Sequence, residues 1–256
     1  GKTIVFVNGL GTDQSAWKGL LPAFAEDFRL LLFDYVGSVE SNRNNFQKSP
    51  FRYLNANGYA LDLLDICSAL ELDGNTIVVG HSLGAIAALL AAIQSPRQVG
   101  QLVLIGASPR YQDAESYLGG FSRDAIDAIY SAVRSDYDSW SESLASAAMG
   151  NPDRPGLADA FAASLRQIPK DMMLTVLCSL LQADHRDQLA RVSAPTLIIQ
   201  ARDDIFVPPQ VAEYLHAHIP SSTLRFIDAS GHLPHVSAPR QVAAAIRDFL
   251  APAAAG

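Results

Sequence analysis

The sequence predicts an α/β fold: a mostly parallel sheet with helices on both faces. Three observations carry the prediction. Short β-branched runs alternate with helical patterns, the signature of parallel strands joined by crossover helices. Each run is nearly continuous in apolar residues, as strands covered on both faces must be. And one run, Thr76-Ile77-Val78-Val79, passes through Gly80-His81-Ser82-Leu83-Gly84 directly into Ala85-Ile86-Ala87-Ala88-Leu89-Leu90, which reads as strand, sharp turn, helix.

From the N-terminus, Thr3-Ile4-Val5-Phe6-Val7 is the first strand, a helix is expected near 15–24, and the leucine-rich run at 29–33 is the second strand. Leu63, Leu64, Cys67 and Leu70 recur at helical spacing within a helix at 56–70. Strands at 76–79 and 101–105 flank a helix at 85–94. The last part repeats the pattern with strand 196–200, helix 209–218, strand 223–227 and a closing helix at 239–250. The 21 residues between 79 and 101, and the 22 between 200 and 223, each hold one crossover helix.

The 90 residues between 105 and 196 far exceed what a parallel crossover requires, and a structureless loop of that length does not belong inside one domain. Four apolar stripes at three-to-four-residue spacing occupy it: Ile126/Ile129/Tyr130/Val133, Tyr137/Trp140/Leu144, Leu157/Phe161/Leu165/Ile168 and Met173/Val176/Leu177/Leu180. Pro152, Pro155 and Pro169 punctuate them. We therefore expect a four-helix lid at 108–189 inserted into a core made of 1–107 and 190–256, seated over the strand ends where Ser82 emerges. Lid–body packing alone accounts for most of these stripes.

Composition excludes several classes of function. The 256 residues suit one buried core, and 49% hydrophobic with 18% charged residues is ordinary for a globular chain. A net charge of −7 gives no basic face for nucleic acid, and the longest apolar stretch, 83–93, is too short to cross a bilayer. Cys67 and Cys178 read as buried free thiols, which fits a reducing, cytoplasmic compartment. No His/Glu or Cys cluster has metal-ligand spacing, and nothing calls for a cofactor.

A serine between such a strand and helix is forced into a strained turn that exposes its hydroxyl; the alternative is a structural serine in a tight glycine turn. A nucleophilic serine needs a base, and the base needs an orienting acid. On this topology they follow in the order Ser, Asp, His, the acid after the next-to-last strand and the histidine after the last. Strand 196–200 leads into Ala201-Arg202-Asp203-Asp204, and strand 223–227 into Asp228-Ala229-Ser230-Gly231-His232. Asp204 is taken as the acid, with Asp203 solvated or stabilising the loop, and His232 as the base. His81 reads as a packed, hydrogen-bonded residue and His235 as loop support, while His216 and His218, two apart on a helix, point to different sides. Backbone N–H groups of Leu83 and of Leu10, in Asn8-Gly9-Leu10-Gly11, are candidates for an oxyanion hole; a plain glycine turn is the alternative for the latter.

With these residues in place the chain resembles the α/β-hydrolase superfamily over essentially its whole length. More narrowly it is similar to the group of the bacterial stress-response regulator RsbQ and the plant strigolactone and karrikin receptor hydrolases. The likeness rests on Phe33-Asp34-Tyr35-Val36-Gly37-Ser38, Gly80-His81-Ser82, Gly106-Ala107-Ser108-Pro109-Arg110-Tyr111, Gly119-Gly120-Phe121, Ala183-Asp184-His185-Arg186 and Gly231-His232-Leu233-Pro234-His235. It implies Ser82, Asp204 and His232 as the triad and Phe121, Trp140 and Leu144 as pocket-lining lid residues. Departures are Asn8 where relatives have His, Leu10 where this group commonly has Phe, Val39 where Gly is common, an unusually polar loop at 42–49, and the lack of two strands ahead of Thr3.

The expected function is a serine hydrolase acting on a small, largely apolar ester or lactone. The alternative is a signalling protein that senses a ligand in the same pocket and engages a protein partner through the lid, an expectation resting on family analogy. Carbon–carbon bond hydrolysis and cofactor-free perhydrolysis are the remaining reactions on this scaffold. Dehalogenation would need a carboxylate at position 82.

Overall fold

The computed structural model describes residues 2–39 and 43–251. Six strands form one parallel sheet: β1 (Thr3–Val7), β2 (Arg29–Leu32), β3 (Thr76–His81), β4 (Gln101–Ile105), β5 (Thr196–Asp203) and β6 (Ser222–Ser230), in the order β2-β1-β3-β4-β5-β6. The order reverses between β1 and β3, and the crevice beyond the strand ends at such a switch point is where open α/β sheets bind ligands.

Alternation along the strands explains the two-sided burial. Ile4, Phe6, Ile77, Val79, Val103, Ile105, Leu197 and Ile199 face one apolar cluster with Trp17, Leu20, Phe24, Val242 and Ile246. Val5, Val7, Val78, Leu102, Leu104 and Ile198 face the other. The helices are α1 (Arg43–Lys48), α2 (Ala56–Ala69), α3 (Leu83–Gln94), α4 (Arg123–Ser135), α5 (Tyr137–Met149), α6 (Pro155–Gln167), α7 (Lys170–Leu181), α8 (Pro209–His218), α9 (Pro234–Ser237) and α10 (Pro239–Leu250). α2, α3 and α8 contribute to the second cluster and α10 closes the first. Among the described residues no helix is long and apolar enough to cross a membrane.

Four helices, α4 to α7, fill the span between β4 and β5 where the four stripes occur. Ser122 and Asp136 cap α4 and α5, their side chains accepting from Ala125 N–H and Ser139 N–H. Gly150 ends α5 in the left-handed conformation (φ 60°) and Pro155 starts α6.

Three expectations need correction. The stretch expected as one helix near 15–24 is two 3-10 segments, Gln14–Trp17 and Leu21–Ala23. Pro22 lacks the N–H a continuous helix would use, and Gly19 lies so close to Pro239 that a Cβ there would stand 2.9 Å away. The polar loop at 42–49 contains α1, whose Phe46 is buried against the core while its asparagines stay outside; Asn42 lies outside the described residues. Finally, β5 and β6 run three residues beyond the apolar stretches that announce them, pairing as far as Asp203 and Ser230 with an irregularity between Ala201 and Asp203. That two-stranded extension carries the two loops of interest out past the sheet edge together. Cys178 is partly exposed, whereas Cys67 is buried; both are free.

Candidate active site

Ser82 joins β3 to α3 at φ 52°, ψ −117°, a backbone conformation unfavourable for any residue with a side chain. It persists because its surroundings hold it. Its N–H donates to Ile105 O at 2.9 Å, and its carbonyl accepts from Ala85 N–H and Ile86 N–H at 3.0 and 3.2 Å. The flanking glycines are sterically required. A Cβ on Gly80 would stand 2.4 Å from Gly84 O, and one on Gly84 would stand 2.4 Å from both Val7 O and Asn8 O.

Three side chains from three strand ends converge there. Ser82 Oγ lies 2.9 Å from His232 Nε2, and His232 Nδ1 lies 2.8 Å from Asp204 Oδ2. All three residues are buried. Burial raises the Asp204 carboxyl, but the adjoining His232 ring, its hydrogen bond, the Phe206 N–H and the Gln200 amide outweigh it and hold Asp204 below its ordinary range. An ionised Asp204 only accepts, so Nδ1 of His232 carries the proton and Nε2 presents a lone pair to the Ser82 hydroxyl.

The Asp204 carboxylate is fixed as firmly as the serine. Its Oδ1 accepts from Phe206 N–H at 2.9 Å and Val207 N–H at 3.1 Å, and its Oδ2 from Gln200 Nε2 at 3.1 Å. Asp203 points its side chain outward, and its backbone carbonyl accepts the Gly231 N–H at 2.6 Å. His232 sits on a turn: Gly231 has φ 92°, the His232 N–H donates to Ala148 O at 2.6 Å, and the His232 carbonyl accepts from His81 Nε2 at 2.8 Å.

Above the serine is a chamber of about 80 Å³ bounded by the cap helices, α4 to α7, and the strand-end loops. Phe121, Trp140 and Leu144 all line it, as does Leu10. No Asp, Glu, Lys or Arg lines it. Phe121 stacks on Phe206, which meets the His232 ring edge-on. Leu83 lines a smaller neighbouring cavity shared with Leu10 and Gly9. As the first residue of α3, it has an N–H with no carbonyl four residues back in the helix.

Two side chains here had no assigned role from sequence. Tyr111 places its hydroxyl 3.3 Å from Ser82 Oγ, and since the serine proton points to His232, Tyr111 is the donor. Burial pushes its phenol well above its ordinary value, so it stays protonated. It closes the Gly106–Tyr111 segment that carries the resemblance, but nothing local gives it this role, because the loop after β4 brings it to Ser82 from 29 residues along the chain. Gln200 did have a signal: it is a lone amide ending an apolar strand, four residues before Asp204. His235 is buried between Trp17 and His81, with ring centroids 4.5 and 4.4 Å away. His216 and His218 bind Ser222 Oγ and Tyr214 O separately on the surface.

Comparison with known proteins agrees with this architecture. A family model described as alpha/beta hydrolase fold matches residues 2–239. The chain is similar to a strigolactone esterase of Pisum sativum, 38% identical over 246 residues, covering 94% of this chain and 90% of that one. It is similar also to a karrikin insensitive 2 receptor of Petunia hybrida, 37% identical over 239 residues, covering 93% and 86%. A solved hydrolase from Oleispira antarctica superposes with a TM-score of 0.93 at 30% identity, covering 97% of this chain and 90% of that one.

Proposed function

The chain belongs to the alpha/beta hydrolase family, and we propose that within it the chain is a carboxylic ester hydrolase, cleaving a small, largely apolar ester or lactone through Ser82, His232 and Asp204. The observation that carries this reading is the unbroken relay from Ser82 Oγ to His232 to Asp204, at 2.9 and 2.8 Å, opening into a largely apolar chamber with no Asp, Glu, Lys or Arg in its lining. His232 Nε2 takes the serine proton as Oγ attacks the carbonyl carbon; Asp204 stabilises the imidazolium that forms. The N–H groups of Leu83 and Leu10 receive the oxyanion. His232 then returns the proton to the departing alkoxide, and water, activated by the same nitrogen, releases the acid and restores Ser82.

A chamber of about 80 Å³ lined mainly by apolar side chains suits a small, largely apolar acyl group. Short-chain nitrophenyl esters and a fluorophosphonate test the proposal: Ser82-dependent release and labelling at Ser82 are expected, and the absence of both overturns it.

A second reading is favoured by one contact, the His232 N–H on Ala148 O, because it ties the base to a cap helix that also lines the chamber. In that reading the chain is a ligand-sensing hydrolase of the receptor type, acting in the cytoplasm through a protein partner on the cap. Slow turnover with a ligand-dependent change in the cap supports it; failure to recover a partner with or without ligand counts against it.

A further inference from the structure

His81 is next to the nucleophile in sequence, yet the relay does not use its side chain. Its ring is buried, and Nε2 lies 2.8 Å from the His232 carbonyl oxygen. A carbonyl only accepts, so Nε2 carries the proton and Nδ1 is bare. Among the described residues Nδ1 has no hydrogen-bond partner. What it meets is Gly9, packed so closely that a Cβ there would stand 2.3 Å from Nδ1 and 2.9 Å from Cε1. Gly9 immediately precedes Leu10 in the loop after β1.

We propose that His81 is a positioning residue, one imidazole that locks the loop bearing His232 to the Gly9–Leu10 loop from behind Ser82. The proposal rests on the serine-hydrolase reading above for its functional consequence. The His232 backbone is held from two sides, its N–H by Ala148 O of the cap and its carbonyl by His81 of the sheet. With both polar groups engaged, the imidazole has its side-chain torsions left to adjust and little else. Burial first, then the neighbouring His235 and His232 rings, disfavour a charge on His81, which preserves the Nε2–H form the carbonyl needs. Without that donor, the His232 backbone itself has one tether in place of two, and displacements near 1 Å in such a relay cost about 100-fold in rate.

Two variants and two resonance measurements test this. His81→Phe keeps a ring without a donor; His81→Gln carries an amide N–H to about the place of Nε2. For nitrophenyl butyrate we expect His81→Phe to lower kcat by about 10- to 100-fold with KM within about twofold, and His81→Gln to recover most of the loss. The low-field proton resonance of His232 Nδ1–H should weaken in the Phe variant and return in the Gln variant. A folded Phe variant with wild-type kcat and resonance overturns the proposal, as does a Gln variant no better than Phe. In the unmutated protein, nitrogen NMR must show His81 protonated at Nε2 and bare at Nδ1. The reverse tautomer overturns the proposal whether or not a variant folds. Should the wild-type protein neither hydrolyse esters nor label at Ser82, the hydrolase reading fails, while the two resonance measurements still decide the role of His81.

Discussion

The backbone N–H of His232 donates to the carbonyl of Ala148 at 2.6 Å, tying the loop that carries the imidazole to the last turn of α5. Ala148, Trp140 and Leu144 on that helix line the chamber, so whatever occupies it presses on the element that holds the base. The contact depends on Gly231. It has φ 92°, and a Cβ there would stand 2.1 Å from Met149 O and 2.7 Å from Ala148 O.

Gly231→Ala should therefore be costly on two counts, a left-handed backbone and a collision with a carbonyl that cannot retreat. The loss should be on the order of 3 kcal/mol, or a fall in Tm of about 6–12 °C for a chain of this size. Differential scanning calorimetry measures it, and esterase activity should fall with it. An unchanged Tm would show that cap and loop are not docked as described.

The two adjacent aspartates should separate sharply. Asp204→Asn turns a carboxylate that accepts four hydrogen bonds into an amide and favours the wrong His232 tautomer; kcat should drop by about 10⁴-fold. Asp203→Asn leaves the backbone carbonyl that binds Gly231 N–H untouched and should stay within about twofold of wild type. Steady-state kinetics on one ester settles both, and equal losses would count against Asp204 as the acid.

Particular residues show what a sequence can and cannot carry. The pattern around Thr76 to Leu90 announces its own geometry, because β-branched residues favour a strand and the alanine run a helix, while the glycine-flanked serine between them marks the sharp turn. The helices Pro209–His218 and Pro239–Leu250 are readable to the residue, since proline starts each one. The broken helix at 15–24 is not, because its apolar residues pack a cluster equally well from 3-10 turns. Tyr111, Ala148 and the backbone role of His81 are invisible for another reason: each acts through contacts far along the chain, and no local spacing encodes them.

A largely apolar chamber should reject charged acyl groups. Among its lining residues only Ser82, Tyr111, Trp140 and the two histidines offer polar atoms, and no Lys or Arg is available to pair a carboxylate. Leaving a carboxylate unpaired in such a site costs several kcal/mol. A nitrophenyl hemisuccinate should then show kcat/KM at least about 100-fold below that of the butyrate, which is similar in length. Comparable values for the two would place the acyl group outside the chamber.

His235 should make the protein acid-sensitive. Its ring is fully buried between Trp17 and His81, and neither nitrogen has a partner among the described residues. Burial, with the His232 ring adding to it, lowers its pKa to about 3. In the unfolded chain the same group titrates near its ordinary value of about 6.5, so between these limits the unfolded state binds a proton that the folded state refuses. Stability is therefore full above pH 6.5 and is lost as pH falls toward 3, by about 1.4 kcal/mol per pH unit for this one group. His81, whose pKa burial lowers too, titrates in the same direction. His235→Phe keeps a ring in the stack and removes the titration. Between pH 7 and pH 5 the variant should lose about 2 kcal/mol less than wild type, read from urea unfolding followed by tryptophan fluorescence. At pH 7 it should be no less stable, because the neutral imidazole it replaces leaves two ring nitrogens without hydrogen bonds. Parallel stability curves for the two proteins across that range would mean that His235 is hydrated or paired in solution.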